Sequence, residues 1–210
     1  TLLELRLACG FGPETPILIF GSTRPGDEGL AADCWRALSP EFPHWRLVVA
    51  PRHLQRVDEA VRAFGREACA LRTETLKPGR RAETRVLVLD TLGELGAFYG
   101  LAEVAVIGGS FFPGVDGHNP LEPAALGIAT VYGPHMRNFP EASEALLENA
   151  GAVQVSGPEV LEGALRRLLA DAHERRALGT RGRRAVRGRQ GASEATATLV
   201  RSLVDEGGGA

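Results

Sequence analysis

Short apolar runs that stop on small, polar or proline-containing triplets recur along this chain, each followed by helical spacing, and this alternation restricts the fold more than any other feature. Ile17-Leu18-Ile19-Phe20, preceded by Pro16, stops at Gly21-Ser22-Thr23, and Leu47-Val48-Val49-Ala50 stops at Pro51-Arg52-His53. Val86 to Leu89 runs into Asp90-Thr91, Val104 to Ile107 into Gly108-Gly109-Ser110, and Ala129 to Tyr132 into Gly133-Pro134-His135. Uninterrupted apolar runs of this length are strands covered on both faces. Helical periodicity fills the intervals, from about Glu28 to Leu38, Leu54 to Gly65, Thr91 to Tyr99, Pro120 to Gly127 and Asn138 to Asn149. A weak strand at Ala68 to Leu71 and a short one at Ala152 to Val155 complete the pattern. Strands alternating with helices predict an α/β fold with a doubly wound, mostly parallel sheet. Such sheets bind ligands outside the carboxyl ends of their strands, which is where the unusual residues fall.

The flanks read differently. Residues 1–15 form a leader of mixed character, and a polar loop is expected around Lys77-Pro78-Gly79-Arg80-Arg81. From Pro158 onward the chain is helical and rich in Ala, Leu and Arg, with breaks expected near Asp171 and at Gly188 to Gly191. The organisation expected is a leader segment over 1–15, an α/β domain with its ligand cleft at the strand ends over 16–190 and a C-terminal helix and tail over 191–210. A formal net charge of -2 argues against a nucleic-acid partner, so any phosphate recognition must be local. Cys9, Cys34 and Cys69 are odd in number and lack close pairing, which suits a reducing, cytoplasmic setting and neither a disulfide framework nor a zinc site. No apolar stretch is long enough to span a membrane, and no metal site is expected without a D-x-D or paired His or Cys spacing. The hydrolase elbow and the P-loop are also missing from the sequence.

Several residues at the strand ends have the chemistry to hold a ligand. Arg52 lies between a strand and a helix, from where a guanidinium reaches a phosphate or carboxylate; the spacing equally admits a surface pair with Asp58 or Glu59. Arg56, a turn later, reads as structural. Leu92-Gly93-Glu94 opens a helix whose first amides suit an anion or the polar edge of a base, while Thr91 and Glu94 alone would make a capping box. Asn119 and Glu122 share one face of another helix start, with Pro120 and Leu121 between them. A carboxylate there can accept from both hydroxyls of a ribose, although a cap followed by a helix-favouring glutamate has the same pattern. Gly117 and the Gly108-Gly109-Ser110 strand end favour the ligand reading, because they permit close backbone approach. His118 and His135 are candidates for polar contacts and equally for loop histidines satisfied by backbone.

The ordered set of motifs is more specific than any member. Gly21-Ser22-Thr23-Arg24-Pro25-Gly26-Asp27-Glu28, Pro51-Arg52-His53 with Arg56, Asp90-Thr91-Leu92-Gly93-Glu94-Leu95 with Tyr99, Gly108-Gly109-Ser110, Gly117-His118-Asn119-Pro120-Leu121-Glu122-Pro123 and Gly133-Pro134-His135 with Asn138-Phe139 closely resemble the C-terminal domain of 3-deoxy-D-manno-octulosonic acid (Kdo) transferases, over roughly Pro16 to Ala152. The resemblance implies a Rossmann-like domain, the C-terminal half of a GT-B glycosyltransferase, that binds CMP-Kdo without a metal or other cofactor. It implies transfer of Kdo with inversion to a lipid A precursor at the cytoplasmic face of the inner membrane, in lipopolysaccharide biosynthesis. Carried over by motif, Pro51, Arg52, Leu92, Gly93, Glu94, Asn119, Pro120, Leu121 and Glu122 would contact CMP, with Arg52 on phosphate and Glu122 on ribose. Ser22, Thr23, Gly109, Ser110 and His118 are further candidate contacts. Arg24-Pro25 stands where many members of the family have a His-Glu pair, so the resemblance assigns that loop no role. The family's general base and membrane anchor belong to the N-terminal domain, which also takes the acceptor, so this chain is expected to be an excised domain that binds donor and contains no catalytic residue. A UDP-sugar transferase or epimerase of the same architecture, and a non-catalytic nucleotide-binding module, are the alternative readings.

Overall fold

The computed structural model describes residues 1–76 and 85–207, with side chains up to Arg189; the expected Lys77–Arg81 loop lies outside these residues. The strands are β1 (Ile17–Thr23), β2 (Arg46–Pro51), β3 (Cys69–Leu71), β4 (Val86–Val88), β5 (Val104–Ile107), β6 (Ala129–Tyr132) and β7 (Val153–Gln154). They form one 7-stranded sheet in the order β3-β4-β2-β1-β5-β6-β7, and every described pairing is parallel. The weak Ala68 to Leu71 and Ala152 to Val155 segments thus both enter the sheet, as its edge strands.

Although the strand runs look uniformly apolar, their side chains separate by parity. Leu18, Phe20, Leu47, Val49, Val104 and Val106 face one layer, packed with Trp35 and Leu38 of α2 (Asp27–Leu38) and Ala60 of α3 (Val57–Phe64). Leu161, Leu165 and Leu168 of α8 (Leu161–Ala170) close that layer. Ile17, Ile19, Val48, Leu87 and Ala105 face the other, against Phe11 and against Phe98 and Tyr99 of α5 (Leu95–Tyr99). A third cluster joins Ile107 and Tyr132 to α6 (Leu121–Leu126), α7 (Pro140–Glu148) and α9 (Ala172–Gly207) through Ala124, Leu146 and Ala185.

Some elements depart from the sequence reading. The 1–15 segment contains a helix, α1 (Leu2–Ala8), closed by a capping box between Thr1 and Glu4. The Arg6 guanidinium donates to the carbonyls of Thr15 and Leu101, which ties this segment to the sheet. A one-turn helix, α4 (Arg72–Thr75), follows β3. The helix expected from Thr91 begins only at Leu95, because the Thr91 hydroxyl donates to the Glu94 carboxylate and the reciprocal backbone caps are not made. A break does occur at Asp171, which is extended, whereas α9 continues through Gly188 to Gly191.

β1 is central. The chain builds outward from it through β2, β4 and β3 on one side and through β5, β6 and β7 on the other. Loops leaving β1 and β5 therefore diverge toward opposite layers, and the crevice between them is the topological switch point where such sheets bind ligands.

Candidate functional site

At the end of β1, Ser22 forms a bulge between Gly21, paired with Ala50, and Thr23, paired with Pro51. Its φ of 57° lies in the left-handed region. The bulge turns Thr23 inward, where its hydroxyl is fully buried and donates to Glu28 Oε1 at 3.0 Å. Gly108 packs against this bend so closely that a Cβ would lie 2.3 Å from the Ser22 carbonyl oxygen. The two loops of the switch point are thus in backbone contact.

Two acids that the sequence left without a role hold this junction. Asp27, 1% exposed, accepts from the Arg24 amide at 2.8 Å and the Gly109 amide at 2.6 Å through Oδ2, while its Oδ1 has no partner. Burial raises its pKa to about 6 against the pull of those two amides. Glu28, 3% exposed, takes Arg56 Nε at 3.2 Å and Nη2 at 2.8 Å, and Arg56 also meets Glu59 at 2.6 Å. Arg56 is accordingly structural, as its position suggested. The sequence signal for these acids was the pair at the start of a helix, a pattern shared with exposed residues that complement the helix dipole.

Arg52 resolves the choice that its spacing left open. Glu59 is engaged by Arg56, and among the described residues the Arg52 side chain forms no ion pair. Its amide donates to the Thr23 carbonyl at 3.1 Å, which joins the β2 exit, beginning at Pro51, to the β1 bulge. The guanidinium is exposed. Glu94 is engaged differently: its carboxylate accepts from Arg72 at 2.9 Å and from Thr91. Arg72 lowers the Glu94 pKa against the opposing effect of burial.

Across the crevice, Gly117 has a φ of 83°, and a Cβ there would meet Met136 Sδ at 2.6 Å, so only glycine fits this turn. The Asn119 carboxamide oxygen accepts from the Leu121 amide at 3.0 Å. Leu121 is the first residue of α6 and Pro120 its N-cap, so the helix starts one residue later than the sequence suggests and Asn119 stands just before the cap. Asn119 Nδ2 lies 3.4 Å from Glu122 Oε1, so the two polar groups share one face as their spacing predicts. Glu122 is exposed, has no described ion pair, and its charge reaches the buried Tyr99 hydroxyl, whose pKa is raised by burial and then by Glu122. Ser110 is fully buried; its hydroxyl donates to the Ile107 carbonyl and accepts from the Gly133 amide at 2.9 Å, bracing β5 against β6. His118 is half-buried, with Nε2 unpartnered and its pKa lowered to about 4, first by burial and then by Arg24, Arg52 and His53. His135 is fixed through its amide to the Ser110 carbonyl.

The structure therefore gathers Ser22, Gly109, His118 and Arg52 at one crevice, with Asn119 just before the helix that leaves it and Glu122 in its first turn. Thr23 and Ser110 are behind its wall. Among the described residues, no helix is long and apolar enough to cross a membrane, and no cluster of three or more His, Cys, Asp or Glu is placed to hold a metal.

No protein-family model matches the chain. The 3-deoxy-D-manno-octulosonic acid transferase of Haemophilus influenzae is 31% identical over 193 residues, covering 91% of this chain and 45% of that protein. Its Bordetella pertussis counterpart is 32% identical over 188 residues, covering 86% of this chain and 43% of that one. The chain thus spans less than half the length of these relatives. Among solved structures, the C-terminal CMP-Kdo binding domain of WaaA from Acinetobacter baumannii superposes with a TM-score of 0.78 at 22% identity, covering 88% of this chain and 95% of that one. The motif order that suggested the resemblance and the seven-stranded parallel sheet agree with these matches: the chain belongs to the 3-deoxy-D-manno-octulosonic acid transferase family and has the fold of a GT-B C-terminal domain.

Proposed function

We propose that this domain binds CMP-Kdo in the crevice between β1 and β5 and is the donor half of a transferase that moves Kdo onto a lipid A precursor with inversion. The observation that carries the reading is the unpaired Arg52 guanidinium, at an edge where Arg56 and Arg72 are both neutralised by carboxylates. In this reading Arg52 binds the CMP phosphate and stabilises it as it departs, an electrostatic role that operates through preorganised charge. Glu122, steadied by Asn119, accepts from the ribose hydroxyls at the start of α6. The amides of Leu92, Gly93 and Glu94 face the base, since the Glu94 carboxylate is committed to Arg72.

Acceptor binding and the general base come, on this proposal, from a part of the enzyme outside these 210 residues, and the reaction takes place at the cytoplasmic face of the inner membrane. The 210-residue chain then binds donor and does not catalyse transfer. Calorimetric titration with CMP and UDP tests this. CMP binding is expected to exceed UDP binding, and Arg52→Ala to weaken CMP by about 1.5 to 3 kcal/mol, the range for a hydrogen bond to a charged group. Preference for UDP, or unchanged CMP affinity in Arg52→Ala, refutes the assignment.

A further inference from the structure

Arg52 is not alone in lacking an anion. Arg24 leaves the neighbouring strand end, and among the described residues its guanidinium meets no carboxylate. The nearby acids are already committed, Asp27 to two backbone amides and Glu28 to Arg56 and Thr23. The Arg24 stem crosses the crevice: a Cβ built on Gly109 would lie 3.3 Å from Arg24 Cγ and 3.3 Å from the His118 ring. Its Nη1 hydrogen-bonds His53 Nε2, and its Nε is buried without a partner, as is His118 Nε2. His53 follows Arg52 in the chain, so the hydrogen bond from Arg24 brings the two arginines to the same side of the crevice.

We infer that this crevice is built for a ligand bearing two anionic groups, with Arg52 on the phosphate and Arg24 on the carboxylate of an acidic sugar. The inference rests on the donor-site reading above and adds a specificity-determining residue to it. A nucleotide ester of an ulosonic acid has this pair of anions on either side of the bond that breaks. A neutral sugar on the same nucleotide has one. Arg24 would therefore select the acidic donor by its carboxylate, through the bidentate geometry that arginine offers and lysine lacks.

The test compares CMP with CMP-Kdo on the wild-type chain, Arg24→Ala, Arg24→Lys and Arg52→Ala by titration. Arg24→Ala is expected to weaken CMP-Kdo at least about tenfold and CMP less than about twofold, with Arg24→Lys intermediate, as loss of one charge-assisted hydrogen bond requires. Arg52→Ala is expected to weaken both ligands. CMP binding by Arg24→Ala shows that the crevice is intact in the same variant that loses the carboxylate contact. Equal losses for CMP and CMP-Kdo in Arg24→Ala, or no loss for either, overturn the inference and leave the donor site standing. Failure of the wild-type chain to bind CMP overturns the donor site itself and this inference with it.

Discussion

Asp27→Asn is expected to stabilise the protein at neutral pH relative to its effect in acid, opposite to the usual consequence of removing a buried carboxylate. Burial holds the Asp27 pKa at about 6 in the fold, against 3.8 for the free side chain. The folded protein therefore binds this proton more tightly than the unfolded chain does. Stability from the protonated group is fully present below pH 3.8 and is lost as pH rises through about 6. The complete loss amounts to about 3 kcal/mol for a shift of about two units, and about 1.4 kcal/mol of it falls between pH 5 and pH 7.5. An asparagine keeps one oxygen for the Arg24 and Gly109 amides and places a neutral group where Oδ1 has no partner. Urea denaturation of wild type and variant at about pH 5 and about pH 7.5 isolates this residue, because every other titrating group cancels in the difference. The difference should shift by about 1.4 kcal/mol in favour of the variant at the higher pH. A difference that stays constant, or shifts toward the wild type, would show that Asp27 titrates normally and that the desolvation argument fails.

Two further substitutions probe the walls of the same crevice. Gly108→Ala places a Cβ 2.3 Å from the Ser22 carbonyl oxygen, where the neighbour is backbone and cannot swing away. It is expected to cost about 1 to 3 kcal/mol or more by thermal denaturation, and an unchanged midpoint would mean that the β1 bulge is free to move. Arg56→Ala strands the Glu28 carboxylate, 3% exposed, with the Thr23 hydroxyl as its remaining described donor. A loss of about 3 to 5 kcal/mol in chemical denaturation is expected, and a loss below about 1 kcal/mol would show that water reaches Glu28 on removal of the arginine.

The sheet was legible in the sequence because its signal is local. Leu18 and Val106 are apolar wherever the layers above and below them come from, so each run could be read alone. Val153–Gln154 and Cys69–Leu71 gave weak signals because edge strands are short and partly exposed. α1 was missed although Thr1 and Glu4 spell a capping box, since its seven residues contain no fully buried side chain and so no clear apolar stripe. The converse error came at Thr91 and Glu94, where the same spelling produced a side-chain contact and a helix that starts later. A capping pattern states which bonds are available, and tertiary competition from Arg72 determined which were made.

The candidate site was harder to read for a related reason: the function proposed for it depends on which charges the fold leaves unpaired. Sequence spacing points to Arg52 and Glu122 and sets Arg56 aside, but it cannot show which acids Arg24, Arg56 and Arg72 would take. Folding pairs Arg56 with Glu28 and Arg72 with Glu94, and assigns Asp27 to two amides. What remains at the carboxyl edge is two guanidiniums without carboxylates and, on α6, the Glu122 carboxylate without a described cation. Arg24 and Arg52 follow β1 and β2, whereas Glu122 lies on α6 after β5, on the other side of the switch point. A nucleotide presents the complement, anionic at phosphate and hydrogen-bond donating at ribose. On the proposed donor reading, Gly117→Ala, which forces a side chain onto a φ of 83°, should reduce CMP affinity in calorimetric titration even where the protein remains folded, and unchanged affinity would separate this turn from the site.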